Sequence, residues 1–124
     1  MEDSFRQSQF ESPLRYPGGK ACIYPFMSKL FYENNLIGTG YAEPYAGGAG
    51  LALKLLYNEY VSEIHINDLD KSIFSFWQVL INQNLRFCDW IEDIEISIEN
   101  WNYYKSVQQN PDSFKEFDSA LPSL

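Results

Sequence analysis

Apolar side chains recur at Ile23, Phe26, Met27, Leu30 and Phe31, the i, i+3, i+4, i+7, i+8 spacing of one face of an amphipathic helix. Pro25 fits such a helix only in its first turn, and "NNLIGTG" closes it. A short strand is expected at residues 41–43, followed by a Gly-rich loop and a helix over 49–57. "EIHIND" alternates polar and apolar positions and predicts a second strand ending at Asn67-Asp68. Asp70 is placed to cap the next helix, where Ile73, Phe74, Phe76, Trp77, Leu80 and Ile81 form a 3.6-period stripe whose aromatics Phe74, Phe76 and Trp77 are expected to be core. "LRFCDWIEDI" reads as helix, and Ser97 caps another that runs to Gln109 and ends at Asn110-Pro111. Residues 1–12 read as a flexible arm, and "LRYPGGK" as a turn set by Pro17 and two glycines. The order strand, helix, strand, helix is that of an α/β fold, with parallel strands joined by crossover helices. Two such strands make an incomplete parallel sheet with exposed edges.

With 124 residues, the chain fits one small domain or a piece of a larger one. A hydrophobic content of 45% makes it core-forming rather than disordered. No apolar run approaches the roughly 18–20 residues that span a bilayer. The polar start "MEDSFRQSQFESP" is no signal peptide, so a cytoplasmic location is expected. Cys22 and Cys88 lack metal-type spacing and read as reduced, buried thiols. The acidic run of Glu92, Asp93, Glu95 and Glu99 reads as a solvated face, so no metal site is expected. The formal net charge of −8 is the wrong sign for a protein that must neutralise phosphates unaided.

The candidate chemistry lies in "YAEPYAGGAGLALKLL" at residues 41–56. A Gly-rich turn from strand to helix lets a ligand approach the backbone without meeting Cβ atoms, and the helix start offers free N–H groups. An acid about 20 residues further on, at the end of the next strand, is placed to accept hydrogen bonds from a ribose. Asp68 stands there, so a nucleoside-containing ligand is predicted. Gly47-Gly48-Ala49-Gly50 does not fit the G-x-G-x-x-G dinucleotide fingerprint, and no G-K-[ST] follows to make a phosphate loop. S-adenosylmethionine, which carries no phosphate, fits a shorter loop better. Plainer readings stand beside these: Asp68 as a helix cap, Lys20 as a solvated lysine, His65 as a partly exposed strand residue, Trp101 and Tyr104 as helix packing.

"RYPGGK", "EPYAGGAG" and "INDLD", in this order and spacing, resemble the first three motifs of the Dam-like DNA adenine N6-methyltransferases. The resemblance continues through Trp101 to about Phe117. It implies a Rossmann-like, S-adenosylmethionine-dependent methyltransferase fold, of which residues 13–124 would be the N-terminal, cofactor-binding part. Many members serve restriction–modification systems. Tyr16 and Lys20 match cofactor contacts of the first motif. Glu43, Pro44, Tyr45, Gly47, Gly48 and Gly50 match the segment around the methionine portion and sulfonium. A carboxylate there offsets positive charge. Asp68 matches the ribose-binding acid, with Ile66 and Leu69 placed to flank the adenine.

The family's Asp-Pro-Pro-Tyr motif is missing: the six prolines are all isolated, so no catalytic residue is assigned. That motif holds the target amino group and stacks on the flipped base. The resemblance also places DNA recognition beyond residue 124, and "SALPSL" departs from the family's usual continuation. A truncated enzyme is therefore expected: double-stranded DNA would be the substrate of the complete enzyme, and its binding by this acidic piece weak or absent. The alternative is a non-catalytic, cofactor-binding half that needs a complementing C-terminal chain.

Overall fold

A computed structural model describes residues 12–110 and Asp112. Most of the arm expected at residues 1–12, and the segment "SALPSL", lie outside the described residues. The chain divides into two units, Met1–Ile66 and Asn67–Leu124.

In the first unit a 3₁₀ turn, Lys20–Ile23, leads into α1, Tyr24–Glu33. Pro25 lies in the first turn of α1, where its missing N–H costs nothing. β1, Thr39–Glu43, is followed by the Gly-rich turn, α2 (Gly50–Tyr57) and β2 (Val61–Ile66). The two strands pair in parallel, Tyr41 opposite Ile64 and Glu43 opposite Ile66, so α2 is the crossover between them. The described fold is thus mixed α/β with a two-stranded parallel sheet, as the element order predicts.

Phe31, Leu51, Leu55 and Val61 form the buried cluster, with Met27, Tyr41 and Ile64 among the partly buried residues packed on it. The helix predicted from residue 23 onward exists, but its buried face is turned from the one expected. Phe26 is 66% exposed and Ile23 42%, whereas Tyr24, Met27 and Phe31 face the core. Tyr24 meets Tyr60 edge-on and Lys54 stands over its ring, so aromatic and cation contacts at Tyr24 set the rotation of α1.

The second unit holds α3 (Lys71–Asn82), α4 (Asn84–Asp93) and α5 (Ile98–Gln109). The caps follow the sequence: Asp70 accepts from the Ser72 N–H and Ser97 from the Asn100 N–H. Phe76 is fully buried, edge-on to Trp77 at 5.1 Å and to Phe87 at 5.8 Å between ring centroids. Phe74 and Ile81 of the predicted stripe are exposed, because the α3 face that carries Ile73, Phe76, Trp77 and Val79 is the one that is covered. Tyr104 packs edge-on against Trp90, whereas Trp101 is 59% exposed beneath Lys105.

Two further expectations need correction. Cys22 and Cys88 are exposed, not buried; Cys22 sits in the 3₁₀ turn, which buries no residue. β2 ends at Ile66, before Asn67-Asp68, because the Asp68 and Asp70 carboxylates take up backbone N–H groups of the turn into α3. No helix among the described residues is long and apolar enough to cross a membrane.

Core truncations should separate from surface ones. Leu55→Ala and Phe76→Ala are each expected to cost about 3 kcal/mol, and Leu85→Ala, on the exposed side of α4, less than about 0.5 kcal/mol. Urea unfolding of the three variants checks this.

Candidate functional site

Glu43 is the last residue of β1, and it points into the protein because Tyr41 and Glu43 share one strand face. Its side chain is 3% exposed. Oε1 accepts a hydrogen bond from the Tyr41 hydroxyl at 3.1 Å. Oε2 lies 3.8 Å from Lys20 Nζ and has no hydrogen-bond partner. Lys20 Nζ is held in place by donating to the Tyr45 carbonyl at 2.6 Å. Burial pushes the Glu43 carboxyl above the usual carboxylate range, against the opposing pull of Lys20 and Tyr41. The Tyr41 phenol is raised by burial first, then by the charge and hydrogen bond of Glu43. A buried carboxylate with one oxygen unmatched is an acceptor for positive charge or for a donor.

The turn after Glu43 is tight. Gly47 has φ +52°, and Ala49, the residue before α2, has φ +50°. The left-handed backbone is open to Gly47, but costs a residue with a Cβ, such as Ala49, roughly 1–2 kcal/mol. The Ala49 N–H closes the turn on the Ala46 carbonyl at 2.7 Å. No side chain caps the start of α2.

Part of the bareness of this turn serves the chain itself. A Cβ on Gly47 would meet the Tyr16 ring at 2.8 Å, and one on Gly48 would meet the Leu14 carbonyl oxygen at 2.7 Å. The segment before the 3₁₀ turn therefore lies directly on the loop, with Leu14 buried. Beside this contact opens a cavity of about 510 Å³ lined by residues that include Tyr16, Gly19, Ala21, Gly48, Gly50 and Lys54.

Of the residues singled out from the sequence, Tyr16, Lys20, Glu43, Tyr45, Gly47, Gly48 and Gly50 come together in the first unit. Pro44 and Tyr45 are exposed. Asp68 and Leu69 belong to the second unit. One Asp68 oxygen accepts from the Asp70 N–H at 2.9 Å, and Leu69 is 87% exposed. His65, on β2, is exposed and pairs with Glu63. Tyr41 and Lys54 were not singled out. Tyr41 had a signal, its i, i+2 relation to Glu43 on a strand. Lys54 had none that distinguishes it from any helix lysine. The described residues contain no group of His, Cys, Asp and Glu arranged to hold a metal ion.

A model of the D12 class N6 adenine-specific DNA methyltransferase family matches residues 16–122 of the chain. No curated protein and no solved structure matches it.

The raised Glu43 carboxyl has a consequence for stability with a definite sign. The folded chain holds this proton to higher pH than the unfolded chain does. The contribution therefore favours folding below the ordinary carboxylate range and is lost as pH rises through the raised value. Glu43→Gln cannot ionise, so its melting temperature relative to the parent should climb across that window and level off above it. Parallel melting curves from acid to neutral pH test this. Gly48→Ala should separately destabilise the loop, since its Cβ meets backbone rather than a movable side chain; a melting temperature unchanged from the parent would remove the Leu14 contact from the account.

Proposed function

The chain belongs to the D12 class N6 adenine-specific DNA methyltransferases, and from that premise we propose that it provides the S-adenosylmethionine site of such an enzyme, on a partial Rossmann-like fold. The observation that carries the reading is the buried Glu43 carboxylate, with Oε2 unmatched and Lys20 3.8 Å away. S-adenosylmethionine supplies an electrophilic methyl on a sulfonium, and bears an ammonium on the same end. Both are cations that a desolvated carboxylate at the end of β1 attracts more strongly than water does. Lys20 balances the Glu43 charge from the solvent side and is the natural partner for the carboxylate of the methionine portion.

Tyr16, Gly48 and Gly50 line the adjoining cavity, which suits the body of the ligand. Tyr45 positions Lys20 through its carbonyl, and Pro44 and Gly47 shape the turn. Asp68 is proposed as the acceptor for the ribose hydroxyls. In the whole reaction the methyl passes from sulfur to adenine N6, and N6 loses a proton. Holding N6 in line is a task for groups that accept its hydrogens, and the sequence contains no Asp-Pro-Pro-Tyr segment for this.

That gap favours a second reading, in which a separate C-terminal chain brings the base-holding groups and the DNA contacts. Under both readings double-stranded DNA is the substrate of the complete enzyme, and the acidic chain by itself binds DNA weakly or not at all.

Equilibrium dialysis with radiolabelled S-adenosylmethionine tests the shared core of the two readings. Binding is expected for the parent chain. Asp68→Ala should weaken it by about 1–3 kcal/mol, the cost of leaving ribose hydroxyls unpaired, and Glu43→Ala should weaken it as well. Methyl incorporation into duplex DNA by the chain alone would overturn the incomplete site that both readings share. Incorporation restored by adding a second chain that carries an Asp-Pro-Pro-Tyr segment favours the second. No binding at millimolar ligand overturns both.

A further inference from the structure

Within the second unit a groove lies between α4 and α5, and its lining shares no residue with those assigned to the cofactor. It measures about 700 Å³, and its walls include Trp90, Ile91, Ile94, Ile96, Trp101 and Tyr104. Apolar surface of this kind is normally hidden, yet Ile96 is 99% exposed, Trp101 59% and Ile91 46%. Ile96 and Trp101 occupy the N′ and N4 positions around the Ser97 cap, where such a pair commonly packs together as a hydrophobic staple. With Ile96 almost wholly in solvent, the staple stands open. The floor is nevertheless ordered: Trp90 and Tyr104 meet edge-on at 5.6 Å, and Lys105 lies 4.6 Å over the Trp101 ring.

Acidic side chains predominate around this groove. Glu92 and Asp93 close α4, Glu95 lines the groove, and Glu99 opens α5; all four are exposed. Among the described lining residues Lys105 is the only cation, and it is already stacked on Trp101. An occupant must therefore bring apolar anchors flanked by positive charge.

Charge disfavours the nearer candidates, which bring more acid than base. Residues 1–11 carry Glu2, Asp3 and Glu11 against Arg6, and residues 113–124 carry Glu116 and Asp118 against Lys115. A second copy brings the same acids and a net charge of −8. Nucleic acid and anionic lipid are repelled for the same reason. We propose that the α4–α5 groove docks a basic amphipathic helix of another protein, its apolar face on Trp90, Ile96 and Trp101 and its Lys or Arg residues against Glu92, Asp93, Glu95 and Glu99. The docking is independent of the cofactor reading, since no residue is shared.

The test uses the purified chain and a fluorescein-labelled leucine–lysine amphipathic peptide of about 18 residues, five turns of helix, beside its leucine–glutamate counterpart. Anisotropy should report micromolar binding of the lysine peptide, weakened by added salt, and no binding of the glutamate peptide. Trp101→Ala and the double change Glu92→Lys/Glu95→Lys should each weaken it by about tenfold or more. The double change Glu33→Lys/Glu59→Lys, on the first unit, should leave it as it was. The side chains changed are exposed, and circular dichroism confirms that each variant is folded. Should one unfold, the salt dependence and the peptide pair with the parent chain still decide. Equal affinity for both peptides, binding indifferent to Trp101→Ala or to salt, no binding, or self-association of the chain through this face would each overturn the proposal.

Discussion

The parallel pairing of β1 with β2 is the constraint on which the first unit depends. Parallel strands cannot be joined by a hairpin, so the chain must cross over, and α2 is that crossover. The crossover has to begin at the end of β1, within the few residues after Glu43. This is why the turn is compressed into left-handed backbone at Gly47 and Ala49, and why the chain is bare there. Alignment of Tyr41 with Ile64 puts Tyr41 and Glu43 on the face that α2 and α1 cover, with Tyr41 against the core. One strand register thus buries a carboxylate and supplies its hydroxyl donor together.

A buried carboxylate is costly unless it is matched, and Glu43 is matched on one oxygen only. Lys20 is close enough to moderate the charge but remains 41% exposed, so water screens the pair. The net result is the raised carboxyl, with burial outweighing both favourable partners. Stability alone would be served by an uncharged side chain at this position. A desolvated charge held against its own preference is the pattern that sites for charged ligands share.

The two units divide the physics of the chain between them. The first carries the strained turn, the buried charge and the cavity. The second is built on aromatic contacts, with Phe76, Phe87, Trp90 and Tyr104 linked ring to ring across three helices. It also carries the acids that weigh most against contact with phosphates. A family that acts on DNA is here represented by a chain of net charge −8, a sign that opposes unaided contact with phosphates.

Local signals carried the elements far. Asp70 and Ser97 cap the helices expected of them, because a cap depends only on residues within one turn. The alternation in "EIHIND" predicted β2 from residue pattern alone, and Gly47-Gly48-Ala49-Gly50 with Glu43 marked the turn. What depends on distant partners was not legible. The burying face of α1 was set by Tyr60 and Lys54 against Tyr24, 36 and 30 residues away in the chain. Nothing in the glycines announced that Leu14 and Tyr16 would lie on them. The sequence by itself determined which segments are helix and strand, where the capped helices begin, and that a carboxylate would close β1, whereas both strands begin two residues before the expected starts, at Thr39 and Val61. Only the tertiary structure decided that this carboxylate is buried with one oxygen unmatched. The reason is that burial belongs to the packing of β1 beneath two helices, whereas propensity and capping belong to the neighbours within a turn.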